Sequence, residues 1–145
     1  MIAVIQRVTN GFVSIDNEVI SQIGKGYVIL LGIFEDDTKE DIEKVVDKIV
    51  HLRVIADKEN KMNLSIMDTR GEILLVPQFT LCADTSQRRP SFIHAMKPEK
   101  AEAVFHHVTG ELKKYVPVKT GKFAAYMNVN IQNDGPVTII LDSKK

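Results

Sequence analysis

Thr80 is the most suggestive hydroxyl in this chain. It follows Gln78 and Phe79, where an apolar run gives way to a polar loop. Two readings stay open. Thr80 is either a β-branched strand residue or a reactive group, which would need a base within hydrogen-bond reach. The sequence reveals no such base. The four histidines are His51, His94, His106 and His107. His106 and His107 are helix neighbours, so they point about 100° apart and cannot share one metal. No His-x-x-x-His or Cys-x-x-Cys spacing is present, so no protein-built metal site is expected, and no cofactor. No Gly-x-Ser-x-Gly elbow exists. Gly24-Lys25-Gly26 precedes a strand-like run, whereas a phosphate cradle opens a helix. Cys82 reads as a small core residue. Arg88-Arg89-Pro90-Ser91-Phe92 is a basic turn ahead of an aromatic, either a solvated loop or a phosphate contact.

A second feature lies near the end of the chain. Asn133-Asp134-Gly135-Pro136-Val137-Thr138 separates two apolar runs, Met127 to Ile131 and Val137 to Leu141. Proline removes a ladder donor, and glycine gives up more backbone entropy than any other residue. X-Pro is also the bond at which cis is accessible, at roughly 0.5–1 kcal/mol. A stiff pair of carbonyls at a fixed angle can recognise shape.

These residues must be positioned by a fold of modest size. The chain has 145 residues, 44% hydrophobic and 26% charged, which fits one domain spanning 1–145. A chain of this length buries about 68–70% of its unfolded surface. No apolar run approaches the roughly 20 residues of a membrane helix. The first residues lack a secretory leader, and the lone Cys82 excludes an internal disulfide, so a cytoplasmic location is expected. The formal net charge is zero, so extensive gripping of DNA or RNA by counterion release is not expected. Any RNA contact should be local.

Ile2 to Val8 reads as an opening strand, Asn10-Gly11 as a turn, and Phe12–Ile15 with Val19–Ile23 as a hairpin around Asp16-Asn17. Tyr27 to Phe34 is nearly continuous in apolar residues, as in a strand buried on both faces. Thr38 caps a helix with Asp41 at the capping-box position, followed by Ile42, Val45, Val46, Ile49 and Arg53 at helical spacing. Glu72 to Leu81 reads as a strand. Pro98 opens a second helix whose stripe is Ala101, Val104, Phe105, Val108 and Leu112. Thr120-Gly121 is a turn, and Phe123–Ile131 and Val137–Leu141 are the last strands. This order predicts an α/β or α+β domain with a curved, mainly antiparallel sheet, barrel-like, covered by two main helices.

Pro77-Gln78-Phe79-Thr80-Leu81 and Asn133 to Thr138 resemble the two signatures of the D-aminoacyl-tRNA deacylases, also called D-tyrosyl-tRNA deacylases. The likeness extends through Met1 to Val8, Gly26 to Gly32, Lys61-Met62-Asn63-Leu64, Arg89-Pro90-Ser91-Phe92 and Thr120 to Ala125. The resemblance implies hydrolysis of the ester joining a D-amino acid, or glycine, to the 3′ end of tRNA. It also implies a cytoplasmic homodimer with a cross-subunit site, no metal and no cofactor. Gln78, Phe79 and Thr80 would form the catalytic segment, with backbone N–H groups near Phe79 and Thr80 facing the oxyanion and the ribose 2′-OH assisting. Gly135 and Pro136 would reject L-amino acids in a cis form, with Asn133 in the same motif and Arg7 holding the loop. The family usually has Ser where this chain has Pro77, and often an acidic residue where it has Tyr126. A tRNA-end binding module without hydrolysis, and a relaxed deacylase that also clears small L-amino acids, are the alternatives.

Overall fold

The computed structural model describes every residue, Met1–Lys145. The first strand, β1 (Ile2–Ile15), is much longer than its expected seven residues because Asn10-Gly11 is no turn: the chain runs straight through it. A Cβ at Gly11 would meet Val28 Cγ2 at 2.5 Å. The glycine is therefore there for close approach between strands, not for reversal. The reversal comes at Asp16 and Asn17, whose φ values of 49° and 66° suit a two-residue hairpin turn into β2 (Glu18–Ile23). β3 (Gly26–Gly32) follows.

The helices form where expected. Thr38 N–H donates to Asp41 Oδ2 at 2.8 Å, opening α1 (Lys39–His51), which ends before Arg53. Arg53 instead donates from Nε to the Asn63 carbonyl at 2.8 Å. Two short strands, β4 (Ile55–Ala56) and β5 (Met62–Leu64), and a single-turn helix, α2 (Ile66–Thr69), lead to β6 (Glu72–Pro77). Pro98 starts α3 (Pro98–Lys113), and β7 (Val118–Thr120) and β8 (Asn128–Asp142) complete the chain. No helix is long and apolar enough to cross a membrane.

The main sheet has the order β2-β1-β3-β6-β7, with β8 on β1. All pairings of β1, with β2, β3 and β8, are antiparallel. The β3–β6 and β6–β7 pairs are parallel, each joined through helical crossovers. Ser21 Oγ donates to the Thr120 carbonyl at 2.6 Å, so β2 curls towards β7 and the sheet approaches closure.

Both faces of this sheet are apolar. Tyr27, Ile29, Leu31, Ile73 and Leu75 pack with Ile42, Val45 and Ile49 of α1 and Phe105, Val108 and Leu112 of α3. Val28, Leu74 and Val76 point the other way and meet Val8, Val13 and Ile23 inside the curl. That two-sided burial explains the unbroken apolar run of β3.

The C-terminal end is fastened to α1 by charge. Lys144 Nζ donates to Asp41 Oδ2 at 2.9 Å. Burial works against the Asp41 carboxylate, but hydrogen bonds from Ser143, from the Thr38 N–H, from Lys144 and from the Thr38 hydroxyl outweigh it. Together they hold its carboxyl well below the usual carboxylate range.

Candidate active site

The ladder of β6 runs out at Pro77, and the site begins there. Along β6 the backbone groups of Ile73 and Leu75 face β7, where Ile73 N–H meets the Pro117 carbonyl and Leu75 C=O accepts from Gly121. Gln78 N–H faces the other side and donates to the Leu31 carbonyl at 2.8 Å. Pro77 therefore presents its nitrogen on the β7 side, beyond the last β7 pairing at Leu75–Thr120. A proline costs no ladder bond at that position.

The strand expected to continue to Leu81 instead winds into a 3-10 turn, Phe79–Cys82. Leu81 N–H donates to the Gln78 carbonyl at 3.2 Å and Ala83 N–H to the Thr80 carbonyl at 3.2 Å. The first donors of such a turn have no partner inside it. No side chain caps the start of the turn or accepts from Phe79 N–H or Thr80 N–H. Gln78 Nε2 donates to Thr80 Oγ1 at 2.5 Å. This amide is the hydroxyl's one hydrogen-bond partner, so no base is poised on Thr80. Phe79 is 58% exposed and meets Phe92 edge to face, with centroids 5.0 Å apart at 72°. Cys82, at the end of the turn, is buried, and burial, then the Asp37 carboxylate, push its thiol up to about 11, away from the thiolate form.

Behind this turn lies a cavity of about 980 Å³, mostly apolar, with Pro77, Gln78, Phe79, Phe92, Met96 and Tyr126 in its lining. Its far wall is the segment 123–127, which is not the expected strand: β8 begins only at Asn128. Tyr126 is 93% exposed and stands at the mouth. No group of three or more His, Cys, Asp or Glu side chains converges in a way that could hold a metal ion.

The Gly-Pro segment forms a corner midway along β8. The register against β1 slips between Gln6 and Val8 and again between Val8 and Asn10, so the residues opposite Arg7 leave the ladder. The Gly135–Pro136 peptide is cis, and Gly135 has φ +127°. A Cβ there would lie 2.9 Å from Val137 Cγ2 and 3.0 Å from Arg7 Nη2. Arg7 donates from Nε to the Asp134 carbonyl at 3.1 Å and from Nη1 to the Val54 carbonyl at 2.7 Å. It also pairs with Asp134 Oδ2 at 3.4 Å. Asn133 Oδ1 accepts from Val137 N–H at 2.9 Å, and Asn133 Nδ2 donates to Thr138 Oγ1 at 3.1 Å and to Gln6 Oε1. Thr138 Oγ1 donates to the same Gln6 oxygen at 3.0 Å. Gln6 and Val54 are braces that sequence reasoning missed. Gln6 carries one mark in the sequence, its place beside Arg7.

The structure thus brings Gln78, Phe79 and Thr80 together at one turn, with Gln78 and Phe79 lining the cavity. It brings Arg7, Asn133, Gly135 and Pro136 together at the corner. It does not bring the two sets together within one chain, because no corner residue lines the cavity.

Comparison with known proteins gives a consistent result. The family model for D-Tyr-tRNA(Tyr) deacylase matches residues 4–142. The D-aminoacyl-tRNA deacylase of Thermoanaerobacter sp. (strain X514) is 57% identical, covering 100% of this chain and 99% of that one. That of Sulfurihydrogenibium sp. (strain YO3AOP1) is 55% identical with the same coverage. Among solved structures, one described as c-Myc DNA Unwinding Element Binding Protein superposes with a TM-score of 0.94 at 47% identity, covering 98% of each chain. A probable eukaryotic D-amino acid tRNA deacylase superposes with a TM-score of 0.82 at 16% identity over 97% of each chain, which speaks to the fold alone.

Proposed function

The chain belongs to the D-Tyr-tRNA(Tyr) deacylase family, and we propose that it assembles each of its sites from two copies, clearing D-aminoacyl-tRNA and glycyl-tRNA while rejecting L-aminoacyl-tRNA. It is a hydrolase, a D-aminoacyl-tRNA deacylase. The observation that carries the two-copy reading is the separation of corner from cavity. The corner is braced and exposed and does not line its own cavity, whose wall carries Gln78 and Phe79 instead.

The terminal adenosine and the ester enter the cavity beside Phe79. Water adds to the ester carbonyl carbon, and the carbonyl oxygen becomes an oxyanion. The N–H groups of Phe79 and Thr80, which no side chain caps, receive that charge; one such donor is worth about 2.7–4 kcal/mol in a transition state. As the intermediate collapses, the ribose 3′-oxygen leaves with one proton of the water, the other passes to solvent, and the amino acid departs as the carboxylate. The neighbouring 2′-OH assists the proton transfers, in keeping with a Thr80 hydroxyl that faces an amide rather than a base. Gln78 fixes the hydroxyl and the turn.

Selectivity comes from exclusion. The corner of the second copy stands over the substrate Cα, with its main-chain oxygens where an L side chain would project. A D side chain points away, and glycine has none. No side-chain donor occupies the carbonyls of Gly135 or Pro136, which supports their use on a substrate.

The test is ester loss from matched D-alanyl-, glycyl- and L-alanyl-tRNA. Loss from the first two, with the third at its spontaneous rate, is the expected result. No loss beyond the spontaneous rate from D-alanyl-tRNA would leave only a binding module. Comparable D and L rates would mark a relaxed deacylase.

A further inference from the structure

The acidic residues of one polar cleft are all engaged while two of its cations are idle. This cleft, about 820 Å³, lies against the outer side of the corner and is lined in part by Arg7, Lys25, Asn60, Arg70, Glu72 and Asp134. Glu72 Oε2 accepts from Gly24 N–H at 2.8 Å, and Asp134 is paired with Arg7. Lys25 and Arg70 are exposed and enter no ion pair. Their backbones are nonetheless fixed. Glu72 N–H donates to the Lys25 carbonyl at 3.1 Å, and Arg70, with φ 54°, caps α2 through its own N–H. Two free cations on anchored backbones, in an open polar groove of an otherwise neutral protein, are the local footprint of an anion-binding surface.

We infer that this cleft holds the phosphodiester backbone of the RNA strand whose 3′ end enters the partner copy's cavity. The inference rests on the two-copy reading above. Asp134 lines the cleft and precedes Gly135 in the chain, so a strand threaded past the corner of one copy runs along the same copy's cleft. A run of phosphates suits separated cations better than one small anion does, because each can take a different phosphate. The contact reads charge rather than sequence.

The experiment pairs Lys25→Gln with Arg70→Asn, the second chosen because asparagine tolerates the left-handed backbone. Uncharged tRNA is the binding probe, followed by fluorescence anisotropy across a salt series. D-alanyl-adenosine, which lacks the upstream phosphates, is the short substrate. The double variant should bind tRNA about fivefold to tenfold more weakly at low salt. The slope of log affinity against log salt should shrink by about 0.7–0.9 per cation removed. Hydrolysis of D-alanyl-adenosine and the thermal midpoint should not move. Unchanged tRNA affinity and slope would overturn the inference. So would an equal loss on the short substrate, or an equal effect from the charge-matched pair Lys39→Gln and Lys48→Gln on α1. A wild-type protein that hydrolyses neither substrate would instead defeat the deacylase reading, and the binding arm would still decide this one.

Discussion

The cavity turn and the Gly135–Pro136 corner are built on opposite plans. The turn at Phe79–Cys82 is left short of partners. No side chain caps its first N–H groups, and one side-chain bond, from the Gln78 amide to the Thr80 hydroxyl, braces it. The corner is tied down from every side by Arg7, Asn133, Thr138 and Gln6. Free donors suit a place where charge must appear during a reaction, since a donor already satisfied has nothing left to give. A surplus of braces suits a place that must hold its shape against an intruding side chain, because exclusion fails if the excluding atoms can move. On the reading proposed above, chemistry and discrimination are housed apart in this chain, and a second copy brings them together.

The sharpest way to break that contrast is to put the two defects on different chains. A turn-defective chain, Gln78→Ala with Thr80→Ala, and a corner-defective chain, Gly135→Ala, should each be impaired on their own, the first in rate and the second in selectivity. Mixed in equal amounts under exchange, they should regain about a quarter of wild-type selective sites, because each mixed pair carries one intact site. No recovery despite exchange, checked by mass spectrometry of the intact dimer, would confine the site to one chain.

Next in size is Gly135→Ala alone. Its φ of +127° and the 2.9 Å approach to Val137 Cγ2 force the corner to shift. Hydrolysis of L-alanyl-tRNA should rise by about tenfold, a change of roughly 1.4 kcal/mol in discrimination, while the D-alanyl rate changes little. An unchanged D/L ratio would remove the corner from selectivity.

How much of this is legible in the sequence depends on whether the signal is local. The Asp16-Asn17 reversal, the Thr38 and Pro98 helix starts and the doubly buried β3 are legible, because each is set by residues within one turn or one strand. Asn10-Gly11 misleads. The same glycine that permits a turn also permits Val28 to approach, and only tertiary contact distinguishes them. The parallel pairing of β6 with β3 and β7 leaves no mark in any short window, since pairing direction is decided by the crossovers. The strand expected through Leu81 stops at Pro77 because the neighbouring strand β7 has already ended. Resemblance names the residues of both candidate regions, but their division into a donor-rich turn and a braced corner is visible only in three dimensions. Gln6 and Val54 give little or no signal: one is an ordinary strand residue, and the other contributes only a carbonyl.

Two smaller perturbations sharpen the division. Arg7→Ala removes charge-assisted bonds to the Asp134 and Val54 carbonyls, each worth about 1.5–3 kcal/mol. It should lower the thermal midpoint and blur D/L choice together, and Arg7→Lys should restore little, since one ammonium cannot reproduce the fork. Thr80→Ala should cost only about threefold to tenfold in rate, the value of one hydrogen bond, with selectivity intact. Abolished turnover with tRNA binding retained would make Thr80 a nucleophile and displace the main-chain donors from the centre of the chemistry.

The smallest effect on the site, and a control for the others, comes from Asp41→Asn. Asp41 belongs to neither region. Its carboxyl titrates well below its ordinary value because Ser143, Thr38 and Lys144 bond the charged form more strongly than burial opposes it. A depressed folded-state value gives stability that is complete above the ordinary carboxylate range and lost as pH falls towards the folded one. The wild type should therefore lose resistance to urea as pH drops below about 4, and the asparagine variant should be weaker at neutral pH with a flatter acid limb. Its D/L ratio at neutral pH should equal that of the wild type. A change in that ratio would mean that global loosening alone alters selectivity, and the effects of Gly135→Ala and Arg7→Ala could then no longer be assigned to the corner.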